Sequence, residues 1–249
     1  MVPKPESSVF DDLAAEHRRL DAILAGLGPD DWVRESGAPG WTISDVVLHL
    51  AQSEELVLAT VGGERAGFVR EEGVHLDTLM DRLVAADRGM TPEQVFERWR
   101  KAAAASPDAL RNHPPKERLA WAAVPLSPRT LATTRLAEHW AHGLDITDPL
   151  GIDFPDTARL RHIAWLAQRT LPYAFATEGE EGGPVRCELT GPDGESWTFG
   201  DPGAPSVIRG PVGDFCRVGA RRVAPGDTAL VAEGPHAEAA LRVVRNYAT

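Results

Sequence analysis

The stretch Trp41-Thr42-Ile43-Ser44-Asp45-Val46-Val47-Leu48-His49-Leu50 decides how the first half of this chain is read. Thr42 followed by Asp45 is a reciprocal capping pair, each side chain accepting from the other residue's backbone N–H at a helix start. Trp41 and Val46 stand where a hydrophobic staple closes over such a cap. Val46, Leu50 and Leu56 carry the helix to about Val61, where Gly62-Gly63 stops it. His49 falls inside the apolar run, where a bare imidazole needs a partner.

Working outward, the helical period continues on both sides. Val9, Phe10, Leu13, Leu20, Ile23, Leu24 and Leu27 form one stripe, closed by Gly26 and Gly28-Pro29-Asp30. A polar stretch at about 62–74 precedes a helix at about 75–87. Thr91-Pro92-Glu93-Gln94 starts another helix, which carries Val95, Phe96 and Trp99 inward. Residues 106–126 hold Pro107, Pro114, Pro115 and Pro125 and read as a long irregular loop. Ser127-Pro128 opens a helix expected to run to about Asp145, ending before Asp148-Pro149-Leu150-Gly151. A last helix is expected from about Asp156 to Thr177.

The period then changes. Glu178–Pro184 has the composition of a linker. Val185–Thr190 alternates as a strand, Gly191-Pro192-Asp193-Gly194 turns, and Glu195–Phe199 returns as its hairpin partner. Short strands are expected at 206–209 and 228–231, and helices at Val212–Arg221 and Pro235–Tyr247. The reading is therefore α+β, with a helical bundle over residues 1–178 and a small α/β domain over 185–249.

Composition narrows the function. Lys plus Arg number 26 and Asp plus Glu 37, for a net charge of −11. That balance argues against a duplex nucleic-acid partner and against an anionic membrane surface. No apolar run reaches the length of a membrane span. The opening residues MVPKPESSVFDDL lack the apolar core of a secretory signal, so a cytoplasmic location is expected. The two cysteines, Cys187 and Cys216, are expected to be reduced, buried apolar side chains.

The chemistry-bearing residues cluster in Arg135-Leu136-Ala137-Glu138-His139-Trp140-Ala141-His142-Gly143-Leu144-Asp145. Glu138 and His142 stand at i, i+4 and share one helical face. With His49 from the earlier helix they would make a 2-His-1-carboxylate metal site with open positions, as catalytic sites have. Spacing alone leaves a second reading open, in which Glu138 and His142 are a solvated surface pair and His49 is hydrogen-bonded to backbone. His139 points about 100° away from Glu138 and reads as supporting, substrate-facing or surface. Asp145, three residues after His142, either receives a histidine N–H or caps the helix end. Trp41, Trp99, Trp140 and Trp165 read as core, and Trp121 as the lining of a pocket mouth. The chain has no G-x-S-x-G motif, and its glycine turn at 191–194 is a hairpin rather than a phosphate cradle.

The 41–50 stretch resembles the second-helix motif of the DinB-like superfamily, and Arg135–Asp145 resembles that superfamily's second metal motif. The nearest branch is that of the mycothiol-dependent maleylpyruvate isomerases and their actinobacterial relatives. Leu189–Gly194, Trp197 and Arg221-Arg222 are similar to that branch's small sterol-carrier-like domain, so the resemblance spans nearly the whole chain. It implies a four-helix core that binds a divalent metal through His49, Glu138 and His142. Zinc is the first expectation, with iron(II) or nickel(II) as alternatives. It also implies that Arg221 or Arg222 binds an anionic substrate; the alternative is a solvated basic pair.

The implied activity is a metal-dependent transferase or isomerase acting on a small molecule, with mycothiol or a similar thiol as cosubstrate. Zinc, having no redox chemistry, would act as a Lewis acid on the thiol. Three rivals stand beside it: a Lewis-acid cyclase or lyase on the same scaffold, a non-catalytic metal- or small-molecule-binding protein, and iron in the same triad with oxygen chemistry. Monomer and homodimer are both left open.

Overall fold

Ser8, Thr42, Thr91 and Ser127 each turn a side-chain oxygen onto the backbone N–H three residues on, and each opens a long helix. These are α1 (Val9–Leu24), α3 (Ile43–Val61), α5 (Pro92–Asn112) and α6 (Pro128–Leu150). The single-turn α2 (Pro29–Trp32) and α4 (Leu76–Asp87) lie between them. The computed structural model describes residues 8–63, 76–122 and 124–246. Most of the polar stretch expected at 62–74 lies outside the described residues, as does the expected helix end at Tyr247.

The four long helices pack on one another as a bundle, with α4 laid against α3. Leu13, Leu20, Val46, Leu50, Trp99, Leu131, Leu136 and Trp140 fill its interior. Burying such side chains contributes roughly 1.5–3 kcal/mol each. The Thr42/Asp45 and Thr91/Gln94 capping boxes are both present.

Two helices run further than their prolines suggest. α5 continues through Pro107 to Asn112, so only the rest of the expected 106–126 loop is irregular. α6 continues through Pro149 to Leu150 and ends on Gly151, whose φ of 66° is left-handed. A helical proline leaves the carbonyl four residues earlier without its partner. Here both carbonyls find other donors. His17 Nδ1 takes Ala103 C=O at 2.9 Å, and Gly37 N–H takes Asp145 C=O at 2.8 Å.

The second unit begins at Pro155. The single helix expected over 156–177 is two, α7 (Leu160–Arg169) and α8 (Leu171–Glu178). Pro172 cannot supply the N–H for the Gln168 carbonyl, and the chain breaks at Thr170. The contact division falls at 154/155, ahead of the 178–184 stretch of linker composition. The reason is packing: α7 buries Leu160, Ile163, Ala164 and Ala167, and packs on the strands and α9 of this unit.

The sheet has strand order β2-β1-β3-β4. β1 (Val185–Thr190) pairs antiparallel with β2 (Ser196–Phe199) and parallel with β3 (Ser206–Pro211); β3 pairs antiparallel with β4 (Val231–Glu233). β4 lies later than the expected 228–231, because Pro225–Asp227 forms a 3-10 turn first. α9 (Val212–Gly219) and α10 (Ala237–Val243) complete the unit, both shorter than expected. The α+β reading stands: a helical bundle followed by a small sheet domain.

Candidate metal centre

His49 is carried by α3, and Glu138 and His142 by α6. Their one-turn spacing on α6 places Glu138 and His142 side by side, and the packing of α3 on α6 brings His49 opposite. Glu138 Oε2 lies 3.6 Å from His49 Nε2 and 3.6 Å from His142 Nε2. The two imidazoles meet nearly edge to face, with centroids 5.0 Å apart. One donor atom from each of the three lies within 4.8 Å of the others. Donors 2.0–2.2 Å from one shared tetrahedral ion lie about 3.3–3.6 Å apart, so the set fits a metal such as zinc.

His142 Nδ1 is 2.8 Å from Asp145 Oδ2. A carboxylate accepts, so Nδ1 donates, and in the neutral ring the Nε2 lone pair is left for a metal. The Asp145 carbonyl accepts in turn from Gly37 N–H at 2.8 Å. Arg88 Nε donates at 3.0 Å to Asp45, the N3 carboxylate of the capping box that opens α3.

Burial pushes the His49 pKa down, and Glu138 only partly offsets this. Burial would also lower His142, but Asp145 and Glu138 outweigh it and raise the value. Burial would raise Glu138; the His142 and His49 imidazoles beside it and the charge of Arg135 reverse this and hold it well below the usual carboxylate range. The result is an ionised carboxylate between two imidazoles.

Trp41 flanks this set. Its ring centroid lies 5.1 Å from that of His49 and 6.3 Å from that of His142, and its Nε1 donates to Asp81 of α4 at 2.9 Å. Trp41 is thus half-buried beside the site rather than in the core; only its adjacency to the helix cap hinted at this. Trp99 and Trp140 are core, whereas Trp165 is 42% exposed. The Arg135 guanidinium carbon lies 5.8 Å from the centre of the half-buried Trp121 ring.

His139 is fully buried, not substrate-facing or on the surface. Its position one residue past Glu138 turns it to the bundle interior, where Trp99 Nε1 donates to its Nε2 at 3.2 Å. Arg221 and Arg222 lie past α9 in the second unit, both exposed. Arg221 has φ 61°, and its Nη1 donates to Arg242 C=O at 2.8 Å. Arg222 Nη1 donates to Ala220 C=O at 2.5 Å. Cys187 and Cys216 are fully buried and unbridged.

Residues 13–147 match the family model "Mycothiol maleylpyruvate isomerase N-terminal domain", and the chain belongs to that family. It is 34% identical over 242 residues to the uncharacterized proteins Rv0036c and MT0041 of two Mycobacterium tuberculosis strains, H37Rv and CDC 1551, covering 95% of this chain and 94% of each relative. The crystal structure of the mycothiol-dependent maleylpyruvate isomerase has the same fold, at TM-score 0.62 and 17% identity, over 91% of this chain and 93% of that one. A histidine-to-alanine mutant of that enzyme matches at TM-score 0.60 and 15% identity, with the same coverage. Among the described residues no helix is long and apolar enough to cross a membrane.

Proposed function

We propose that this chain is a metal-dependent enzyme that activates a low-molecular-weight thiol, mycothiol or a relative, for addition to an electrophilic small molecule. The observation that carries the reading is the convergence of His49, Glu138 and His142 on one point, with Glu138 shared between the imidazoles at 3.6 Å. The name of the family supports the thiol. A divalent metal held by these three residues would supply Lewis acidity, which favours a thiolate near neutral pH.

The chain's own residues divide the remaining work. Glu138 stays ionised and His49 stays neutral, so both present lone pairs. Asp145 orients His142. Trp41 walls one side of the donors with an apolar face. Neither cysteine serves as nucleophile: burial pushes the Cys187 thiol up to about 12 and Cys216 well above the usual thiol range. An added thiol must therefore supply the sulfur.

The thiolate adds to an activated alkene, and the electron pair moves into the adjacent carbonyl as an enolate. Rotation about the former double bond and expulsion of the thiolate give the other geometric isomer, with no net thiol consumed. If a proton instead quenches the enolate, the thioether is retained and the outcome is S-transfer. Arg221 or Arg222 is assigned to an anionic group of the substrate, so Arg221→Ala and Arg222→Ala should raise KM and leave metal content unchanged.

The test is initial rate against pH in metal-replete protein, with and without thiol. The rate should saturate in thiol, and it should rise with pH and level off near neutrality, below the free-thiol value of about 8.5. Turnover unchanged on omitting thiol would overturn the reading and favour a cyclase or lyase.

A further inference from the structure

A second buried polar group shares α3 and α6 with the triad and draws on α1 and α5 as well: His17 of α1, Glu54 of α3, Trp99 of α5, and Arg135 and His139 of α6. Glu54 is 0% exposed and Arg135 3%. Arg135 Nε donates to Glu54 Oε1 at 2.8 Å. Glu54 Oε2, Arg135 Nη2 and His17 Nε2 are buried with no hydrogen-bond partner among the described residues. His17, Glu54 and His139 also bring one potential ligand atom each within 4.8 Å of one another, as the triad does.

The two groups differ in kind. An indole N–H only donates, so His139 Nε2 accepts from Trp99 and its proton sits on Nδ1, which lies 3.0 Å from Arg135 C=O. Both nitrogens of His139 are therefore committed. Glu54 already faces a guanidinium. A dication here would have to displace the Trp99 N–H and share its carboxylate with a cation.

What this group does instead follows from where it stands. Arg135 precedes Glu138 by three residues on α6, so its side chain lies on the face that carries the triad. Glu54 follows His49 by five residues on α3. A buried cation close to a site for a dication opposes binding, and low-dielectric surroundings strengthen that opposition. Glu54 cancels it. With Glu138 and Asp145, its carboxylate balances one dication plus Arg135, and the buried group is neutral overall.

We propose that Glu54 is the counter-charge that lets the His49–Glu138–His142 set take a divalent cation beside the buried Arg135, without itself being a ligand. The inference rests on the reading of that set as a metal site. Glu54 acts through Arg135, as a positioning and charge-balancing residue.

The experiment is a competition titration of zinc against a chromophoric chelator, on the metal-free full chain and three variants. Wild type should bind one equivalent. Glu54→Gln should still bind one equivalent, with Kd raised about tenfold or more, because Arg135 is left uncompensated. Arg135→Met should leave Kd unchanged or lower it. The double variant Glu54→Gln/Arg135→Met should return to within about threefold of wild type, a coupling that independent effects would not produce. It also guards against misfolding, since replacing both partners of a buried ion pair is often neutral or stabilising. Cobalt(II) d–d spectra should be unchanged in every variant, because no ligand is altered. A purely structural role would weaken binding in both single variants and more in the double.

Wild-type affinity in folded Glu54→Gln overturns the inference alone, as does a double variant as weak as Glu54→Gln. Two equivalents in wild type, one of them lost in Glu54→Gln, would make Glu54 a ligand and also overturn it. A wild-type chain that takes up no divalent metal overturns both this inference and the metal reading beneath it.

Discussion

His142 donates its Nδ1–H to Asp145 Oδ2 at 2.8 Å, and so leaves Nε2, 3.6 Å from Glu138 Oε2, as the ring nitrogen that can offer a lone pair. The carboxylate selects the tautomer, because it can only accept. Asp145→Asn offers an amide that can donate instead and so permits the opposite tautomer. Metal affinity should fall about 10–100-fold, with the helical circular dichroism unchanged. Chelator competition measures it; an unaltered Kd would show that Asp145 does not orient the ligand.

His49→Ala, Glu138→Ala and His142→Ala should each lose most of the bound divalent metal, measured by elemental analysis of protein purified without chelator. His139→Ala should keep its metal and lose stability instead. It removes the acceptor of the buried Trp99 N–H and opens a cavity, at a cost of about 2–4 kcal/mol in denaturant unfolding. Stoichiometric metal in all three triad variants would show that the metal is held elsewhere.

The His17–Ala103 bond makes a compensation testable. His17→Phe orphans the carbonyl that Pro107 already deprives of a backbone donor, and should cost about 1–3 kcal/mol. Pro107→Ala restores an N–H at the position that bonds Ala103 C=O, so in the His17→Phe background it should recover most of the loss. Additive destabilisation in the double variant would show that the carbonyl is not the reason for the cost.

Metal-free protein should become less stable as pH falls below the ordinary histidine value of 6.5. Burial holds His17, His49 and His139 below that value. The unfolded chain therefore binds protons there that the folded chain does not, and stability falls with falling pH. His142, raised by Asp145 and Glu138 against its burial, acts in the opposite sense, one group against three. Urea unfolding at pH 7.5 and 5.5 reads the difference; greater stability at pH 5.5 would reverse the assignment.

Much of the bundle was legible locally. Thr42/Asp45 and Thr91/Gln94 start helices through bonds spanning three residues, so the signal lies within the segment itself. The Glu138/His142 face follows from helical geometry alone, and the α+β division from the change of period after residue 184. The grouping of His49 with Glu138 and His142, by contrast, is only one of two readings that spacing allows, and resemblance is what favours it: no local rule says that α3 lies against α6 at the height where these side chains meet.

The sequence by itself determined the helix starts, the strand period and which side chains share one helical face, because those are short-range consequences of backbone geometry. Only the tertiary structure decided that α5 and α6 survive Pro107 and Pro149. The donors that satisfy their orphaned carbonyls, His17 Nδ1–H and Gly37 N–H, come from 86 and 108 residues away along the chain. It likewise decided that α7 packs with the sheet, and that His139 lies buried under the indole N–H of Trp99. A buried hydrogen-bonding group is satisfied by whatever the fold brings beside it, and that neighbour is set by long-range packing rather than by the residues adjacent in sequence.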